Sequence, residues 1–380
     1  MRMNGMHPMI DRDRQEVARR YRNDILKWNI LSLIVSVVFL MVIVVFDISR
    51  GFAGYIAERT GVRILLSGSY FLMLYLVFSI LTLPFAYFEG YSVEHKYGFS
   101  RQNRWAWFKD WAKSSLISFV IGLVIFEVLY LIIPASPRLW WLWLSLIMIV
   151  FSIILANIFP VLILPLFYKS IPLEEGELKS EITELSGRAG VNVRGVYSID
   201  LSSKTTKANA AVVGLGNTKR IIIGDTLISN FETGEILSAV AHEIIHYRER
   251  HMWYLVLWQS LITVAMFYVF FRVQPLVYAW FGFEGAYEIA AFPIFVLIFG
   301  VISYLLRPLG ASISRYYERR ADGGALNLTG NPEAFISLIA KFCNEQLSIA
   351  YPNRLVEWYK YSHPSPGKRI SFAEKWKLIR

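Results

Sequence analysis

The sequence predicts a mainly α, polytopic helical membrane protein of about six spans, carrying one small α+β polar domain that the last two spans split. Three observations predict it. Of the 380 residues, 55% are hydrophobic and only 18% charged, too apolar a balance for a soluble enzyme. Six apolar runs each reach the ~20 residues that a hydrocarbon core requires. Two long polar segments break or follow those runs. A single run could be a buried helix of a large soluble protein, but six in one chain exclude that class.

The elements follow in order. Residues 1–28 form a polar N-terminal segment with Arg12, Arg14, Arg19, Arg20 and Arg22. Its charge excludes a signal peptide, and no cleavage is expected. Runs near 29–48, 64–88, 115–135 and 140–168 give membrane helices one to four, within residues 29–168. Segment 169–251 opens on the helix-like LEEGELKSEITELSGRAG and alternates in VRGVYSID and KRIIIGDTL. Those two read as strands bounded by Gly and Asn turns. The segment ends on a helix carrying AHEIIHYRER. Runs 252–281 and 289–309 are the fifth and sixth spans, within residues 252–309. Residues 310–380 read as helices; PEAFISLIAKFCNEQL is capped by Asn331 with Pro332 in its first turn. Cys343 within it is a core residue and, as the only cysteine, excludes an intramolecular disulfide.

Trp105, Trp107, Trp140, Trp141, Trp253, Tyr278 and Trp280 lie where an aromatic belt is expected. The N-terminal segment and the loop with Lys96, Arg101, Arg104, Lys109 and Lys113 are basic, which assigns them to the cytoplasm. With an even number of spans both termini share that side, as do both polar segments. The first loop, with Arg50, Arg59 and Arg63, fits this topology less well. The net charge of +10 is explained by basic flanks against anionic lipid headgroups. No concentrated basic patch points to nucleic acid.

His242 and His246 are four apart, so on a helix they project from one face and can share a metal ion, with Glu243 beside it. This is the H-E-x-x-H arrangement of metallopeptidases, in which zinc activates water and the carboxylate takes its proton. The same residues with Arg248 and Glu249 also fit a solvated, salt-bridged helix face. A catalytic zinc needs a third protein ligand. SRYYERRADGGAL supplies Glu318 as that candidate, and Asp322, one turn on, is placed to accept the second ring N–H of a ligand His.

With those motifs in view, the chain resembles the type I CAAX prenyl proteases, integral-membrane zinc metallopeptidases of the gluzincin type. HEIIHYRERH resembles that family's extended histidine motif, including the trailing His251, and SRYYERRADGGAL its Ser-Arg-x-x-Glu-x-x-x-Asp segment. EHKYGFSRQ (94–102), PLFYKSIPLEEGELK (165–179), KANAAVVGLGNTKRIIIGDTL (207–227) and YSHPSPGKRI (361–370) match in the same order. The resemblance implies one zinc per chain, held by His242, His246 and Glu318, with Glu243 as base. It implies an Asn-Ala edge strand at Asn209 and Ala210 that adds a substrate peptide to the sheet. It also implies oxyanion donors at His363 and Arg369. His251 takes a structural or supporting role, the sequence names no partner for His95, and His7 falls in a disordered start.

Eukaryotic members have seven spans around a water-filled chamber. Here only the Arg-rich MIDRDRQEVARRYRNDILKW precedes helix one, an interfacial helix in this reading. The compact chain suggests a prokaryotic relative in the cell membrane. The zinc helix is expected to be continuous or nearly so with span five and the Glu318 helix to follow directly from span six, which puts the site at or just inside the membrane boundary. The expected activity is hydrolysis of membrane-associated or prenylated proteins, with quality-control proteolysis of broad specificity as the alternative. A transporter or scaffold with a structural metal site is the reading from another class. Partners are a peptide or protein substrate, lipid-modified or not, and membrane lipids; the sequence leaves the oligomeric state open.

Overall fold

The computed structural model describes residues 6–214 and 219–379. The stretch 215–218, with the expected Gly-Asn turn, lies outside them. Among the described residues six helices are long and apolar enough to cross a membrane. Helix α1 (Arg12–Val45) is followed by a short α2 (Ile48–Ala57). Helix α3 (Arg63–Tyr87) continues through a π-helical turn at Phe88–Val93 into α4 (Glu94–Lys96). Then come α5 (Arg104–Ala135) and α6 (Trp140–Ile158), the latter prolonged by a π-helical turn at Phe159–Ile163. Helices α10 (His251–Trp280) and α11 (Phe292–Thr329) complete the set. Their apolar side chains face outward along the spans (Leu33, Ile80, Leu116, Val161, Leu276, Leu305), as lipid contact requires.

Between α6 and α10 lie β1 (Ser170–Pro172), α7 (Glu177–Arg188), β2 (Gly195–Ile199), β3 (Ala210–Val213), β4 (Arg220–Gly224), α8 (Asp225–Asn230) and α9 (Thr233–Arg248). The sheet order is β1-β2-β4-β3, with β2 and β4 parallel and the outer pairs antiparallel, so β3 is an edge. After α11 come α12 (Pro332–Glu345), α13 (Arg354–Lys360) and α14 (Pro366–Ile379). Both polar segments feed one core: Ile182, Val196, Ile223, Val240 and Ile244 from the first, Leu326, Phe335, Leu338, Cys343 and Ile370 from the second. The two spans that part these segments in sequence return them to the same place.

Three expectations change. The Arg-rich start is not an interfacial helix, because it forms the first turns of α1, capped by Asp11. One face of those turns is buried on the polar domain: Gln15 Nε2 donates to Ser348 O at 2.9 Å, and Gln15 Oε1 accepts from Ala350 N at 2.9 Å. His7 is ordered, with Nε2 3.3 Å from Glu374 Oε1. Trp140 and Tyr278 turn inward, at 2% and 1% exposure, into an aromatic cluster with Phe270, so they do not join the belt. The zinc helix is nearly continuous with span five, as expected, and only Glu249 and Arg250 part them, with Arg250 at φ 56°.

At the opposite face of the membrane the first loop meets the fifth: Arg50 Nη2 donates to Gly282 O at 2.6 Å, and its Nη1 pairs with Asp47.

Candidate active site

Helix α9 begins with a capping box in which Glu232 and Glu235 each accept from the other's backbone N–H. Ile236, Val240, Ile244 and Ile245 fix its buried face. Helix α11 crosses it where small residues permit: Ala241, Ala321 and Ala325 are fully buried, and a Cβ on Gly324 would stand 2.6 Å from Ile245 Cγ2. That approach brings Glu318 against the two histidines.

His242 Nε2 lies 3.0 Å from Glu318 Oε2 and 3.1 Å from His246 Nε2, and His246 Nε2 is 3.5 Å from Glu318 Oε1. Two ring nitrogens and a carboxylate aimed at one point are poorly satisfied by each other. A cation between them satisfies all three. Tetrahedral zinc with bonds of ~2.0–2.1 Å sets neighbouring donors about 3.3–3.4 Å apart, which these spacings fit. The donors that can hold a metal are therefore His242, His246 and Glu318.

Asp322 lies behind His242, its Oδ1 2.9 Å from Nδ1 though out of line for a full hydrogen bond. Burial pulls the His242 imidazole down, but Asp322 and Glu318 more than reverse this and push it up to about 9. Asp322 is itself 1% exposed, and a buried carboxylate demands a cation. Arg369 supplies it, with Nε and Nη2 donating to the two carboxylate oxygens at 2.9 and 2.6 Å. The expected oxyanion donor thus has two of its donors committed to Asp322, for that electrostatic reason.

Glu243 lies half-buried on the same helix, with no hydrogen bond from another described residue. Burial raises its carboxyl above the ordinary range against the pull of His242 and His246, which suits a proton acceptor. His363 stands half-exposed at the mouth, Nε2 3.2 Å from Glu318 Oε2 and Nδ1 2.9 Å from Ser362 Oγ. Asn209 O accepts from Gly224 N at 2.8 Å, and Asn209 Oδ1 from Ala210 N at 2.9 Å. This pair opens edge strand β3, beside a cavity of about 300 Å³ that Asn157, Phe159 and Met252 also line.

Two contacts escaped the sequence reading. Arg315 Nη1 donates to Tyr361 O at 2.6 Å and to Glu357 O at 3.1 Å, which anchors the loop that carries His363. Its place one turn before Glu318 was a usable signal. Glu249 meets His251 and gave no such signal, because the contact depends on the break at Arg250.

The site also has a depth. At 1.5 Å per residue, Glu318 lies about 39 Å along α11 from Phe292, beyond a hydrocarbon core of about 30 Å. The cluster therefore sits at the membrane boundary.

A helical membrane bundle delivering a His-Glu-x-x-His helix and a third carboxylate to that boundary defines a membrane-embedded metallopeptidase. Comparison with known proteins narrows the class. The family model "CAAX prenyl protease N-terminal, five membrane helices" matches residues 4–169, and "Peptidase family M48" matches residues 172–377. An uncharacterized metalloprotease of Bacillus subtilis, YhfN, is 34% identical over 88% of this chain and 79% of its own length. CAAX prenyl protease 1 of Saccharomyces cerevisiae is 30% identical over 77% of this chain and 68% of its own. The crystal structure of S. mikatae Ste24p superposes with a TM-score of 0.85 at 26% identity, covering 97% of this chain and 90% of that one. The chain belongs to peptidase family M48 and is a type I CAAX protease family member, a multi-pass membrane zinc metallopeptidase. That membership removes the ground for a transporter or scaffold.

Proposed function

We propose that this metallopeptidase cleaves membrane-associated proteins, C-terminally prenylated ones among them, with its peptidase half on the cytoplasmic side of a prokaryotic cell membrane. One observation carries the reading: donor atoms of His242, His246 and Glu318 converge within 4.8 Å at the membrane boundary, with Glu243 beside them. Zinc held there supplies Lewis acidity and activation of water. The remaining work falls to side chains. Glu243 takes the proton of the attacking water and passes it to the leaving amine. His363 donates to the oxyanion as it forms. Arg369 holds Asp322, which keeps His242 oriented. The edge strand at Asn209 and Ala210 pairs main chain to main chain with an extended substrate.

Glu243→Gln keeps the shape of the side chain and loses the base. Turnover should fall by at least ~100-fold, the usual worth of a general base, with zinc content unchanged. Cutting by that variant at the wild-type rate would remove Glu243 from the mechanism. The yeast and rice relatives are named as CAAX prenyl proteases, which favours prenylated substrates. An apolar cavity of about 680 Å³ among α3, α5, α6, α10 and α11 gives a lipid chain room within the bundle. A farnesylated peptide should therefore be cut faster than its unprenylated twin. Equal cleavage would point to broad-specificity quality control.

A further inference from the structure

The break between α9 and α10 returns a third imidazole to the cluster. On an unbroken helix His251, nine residues past His242, would face the opposite side. The left-handed residue Arg250 restarts the chain instead, so that His251 opens α10 and its Nδ1 comes 3.3 Å from His246 Nδ1. His251 is 1% exposed and packs on the Tyr317 ring at 4.9 Å between centroids. Its Nε2 is 3.1 Å from Glu249 Oε2, and Arg320 Nη2 lies 3.0 Å from that same oxygen.

These contacts fix where the protons sit. A carboxylate paired with arginine only accepts, so the proton His251 shares with Glu249 is on Nε2. A neutral imidazole has one N–H, which leaves His251 Nδ1 as an acceptor. His246 must then carry its own proton on Nδ1 and turn a lone pair on Nε2 toward His242 and Glu318. The reverse tautomer would aim a hydrogen into the cluster and repel a cation.

We infer that His251 and Glu249 are positioning residues that lock His246 as its Nδ1–H tautomer and so present Nε2 to the metal. The inference rests on the metal reading proposed above. Both histidines of the motif are thereby oriented from behind, His242 by Asp322 directly and His246 through an intervening imidazole. Partners of this kind typically carry about 10- to 100-fold in metal affinity.

The test is zinc affinity by chelator competition on the full chain in detergent, with thermal unfolding followed alongside. His251→Phe should weaken zinc about 10- to 100-fold while leaving the fold intact. His251→Asn, whose Oδ1 can accept where Nδ1 did, should keep most of the affinity. In the metal-free protein, histidine ¹⁵N spectra should show His246 moving toward the Nε2–H form only in His251→Phe. Wild-type affinity in His251→Phe, or equal loss in both variants, overturns the inference. Should His251→Phe fail to fold, Glu249→Ala decides: freeing His251 to reverse should weaken zinc, and unchanged affinity overturns the inference. A wild type that binds no zinc removes the metal reading itself, a result distinct from either variant outcome.

Discussion

At the scale of single residues the cluster is a nest of compensations. Glu318 answers two histidines, Asp322 stands behind His242, and Arg369 balances the buried carboxylate of Asp322. Taking away one member of a buried pair leaves an unpaired charge, which typically costs about 3–5 kcal/mol. Arg369→Ala should therefore lower the unfolding temperature and also weaken metal binding, because the freed Asp322 no longer holds His242. Arg369→Lys should recover part of both, as a point charge without the fork. Thermal unfolding and metal titration on the two variants check this; loss of activity with stability and metal affinity both unchanged would place Arg369 on the substrate side. The convergence of His242, His246 and Glu318 was legible because H-E-x-x-H and Glu-x-x-x-Asp each lie on one helical face. The bond from Arg369 to Asp322 was not, since it joins residues 47 apart and only folding decides which acid an arginine meets.

At the scale of elements, the crossing of α9 and α11 decides whether the ligands meet. Gly324 is the point of closest approach, and an added Cβ would collide with Ile245. Gly324→Leu should overpack the crossing, destabilise by about 1–3 kcal/mol and move Glu318 away from His246. Lower metal affinity at a temperature where the variant is still folded is the expected result; unaltered affinity would mean that the crossing tolerates displacement. Spans were the most legible elements, because an apolar run of sufficient length has few other fates. Their ends were less so. The first turns of α1 read as a surface helix, and only the burial of Gln15 and Ala18 against the peptidase half reveals a strut continuous with the span. The break at Arg250 was equally hidden, since neither glycine nor proline marks it and tertiary contacts of His251 hold the left-handed turn.

At the scale of the whole molecule, two long helices carry the argument. Helix α10 starts beside His246 and α11 delivers Glu318, so the membrane bundle and the peptidase half share the cluster as their joint. Past the hydrocarbon length of α11, the cluster stands where water is available to it. The split domain was legible as two polar segments; their union into one core follows from an even number of intervening spans returning the chain to the same side. The central claim is that His242, His246 and Glu318 together hold one zinc. Elemental mass spectrometry on detergent-purified protein, prepared without added metal, tests it most directly with Glu318→Ala alongside. About one zinc per chain in the wild type, lost in the variant, is the predicted result. A well-folded wild type without zinc, or a variant that retains it in full, would contradict the account.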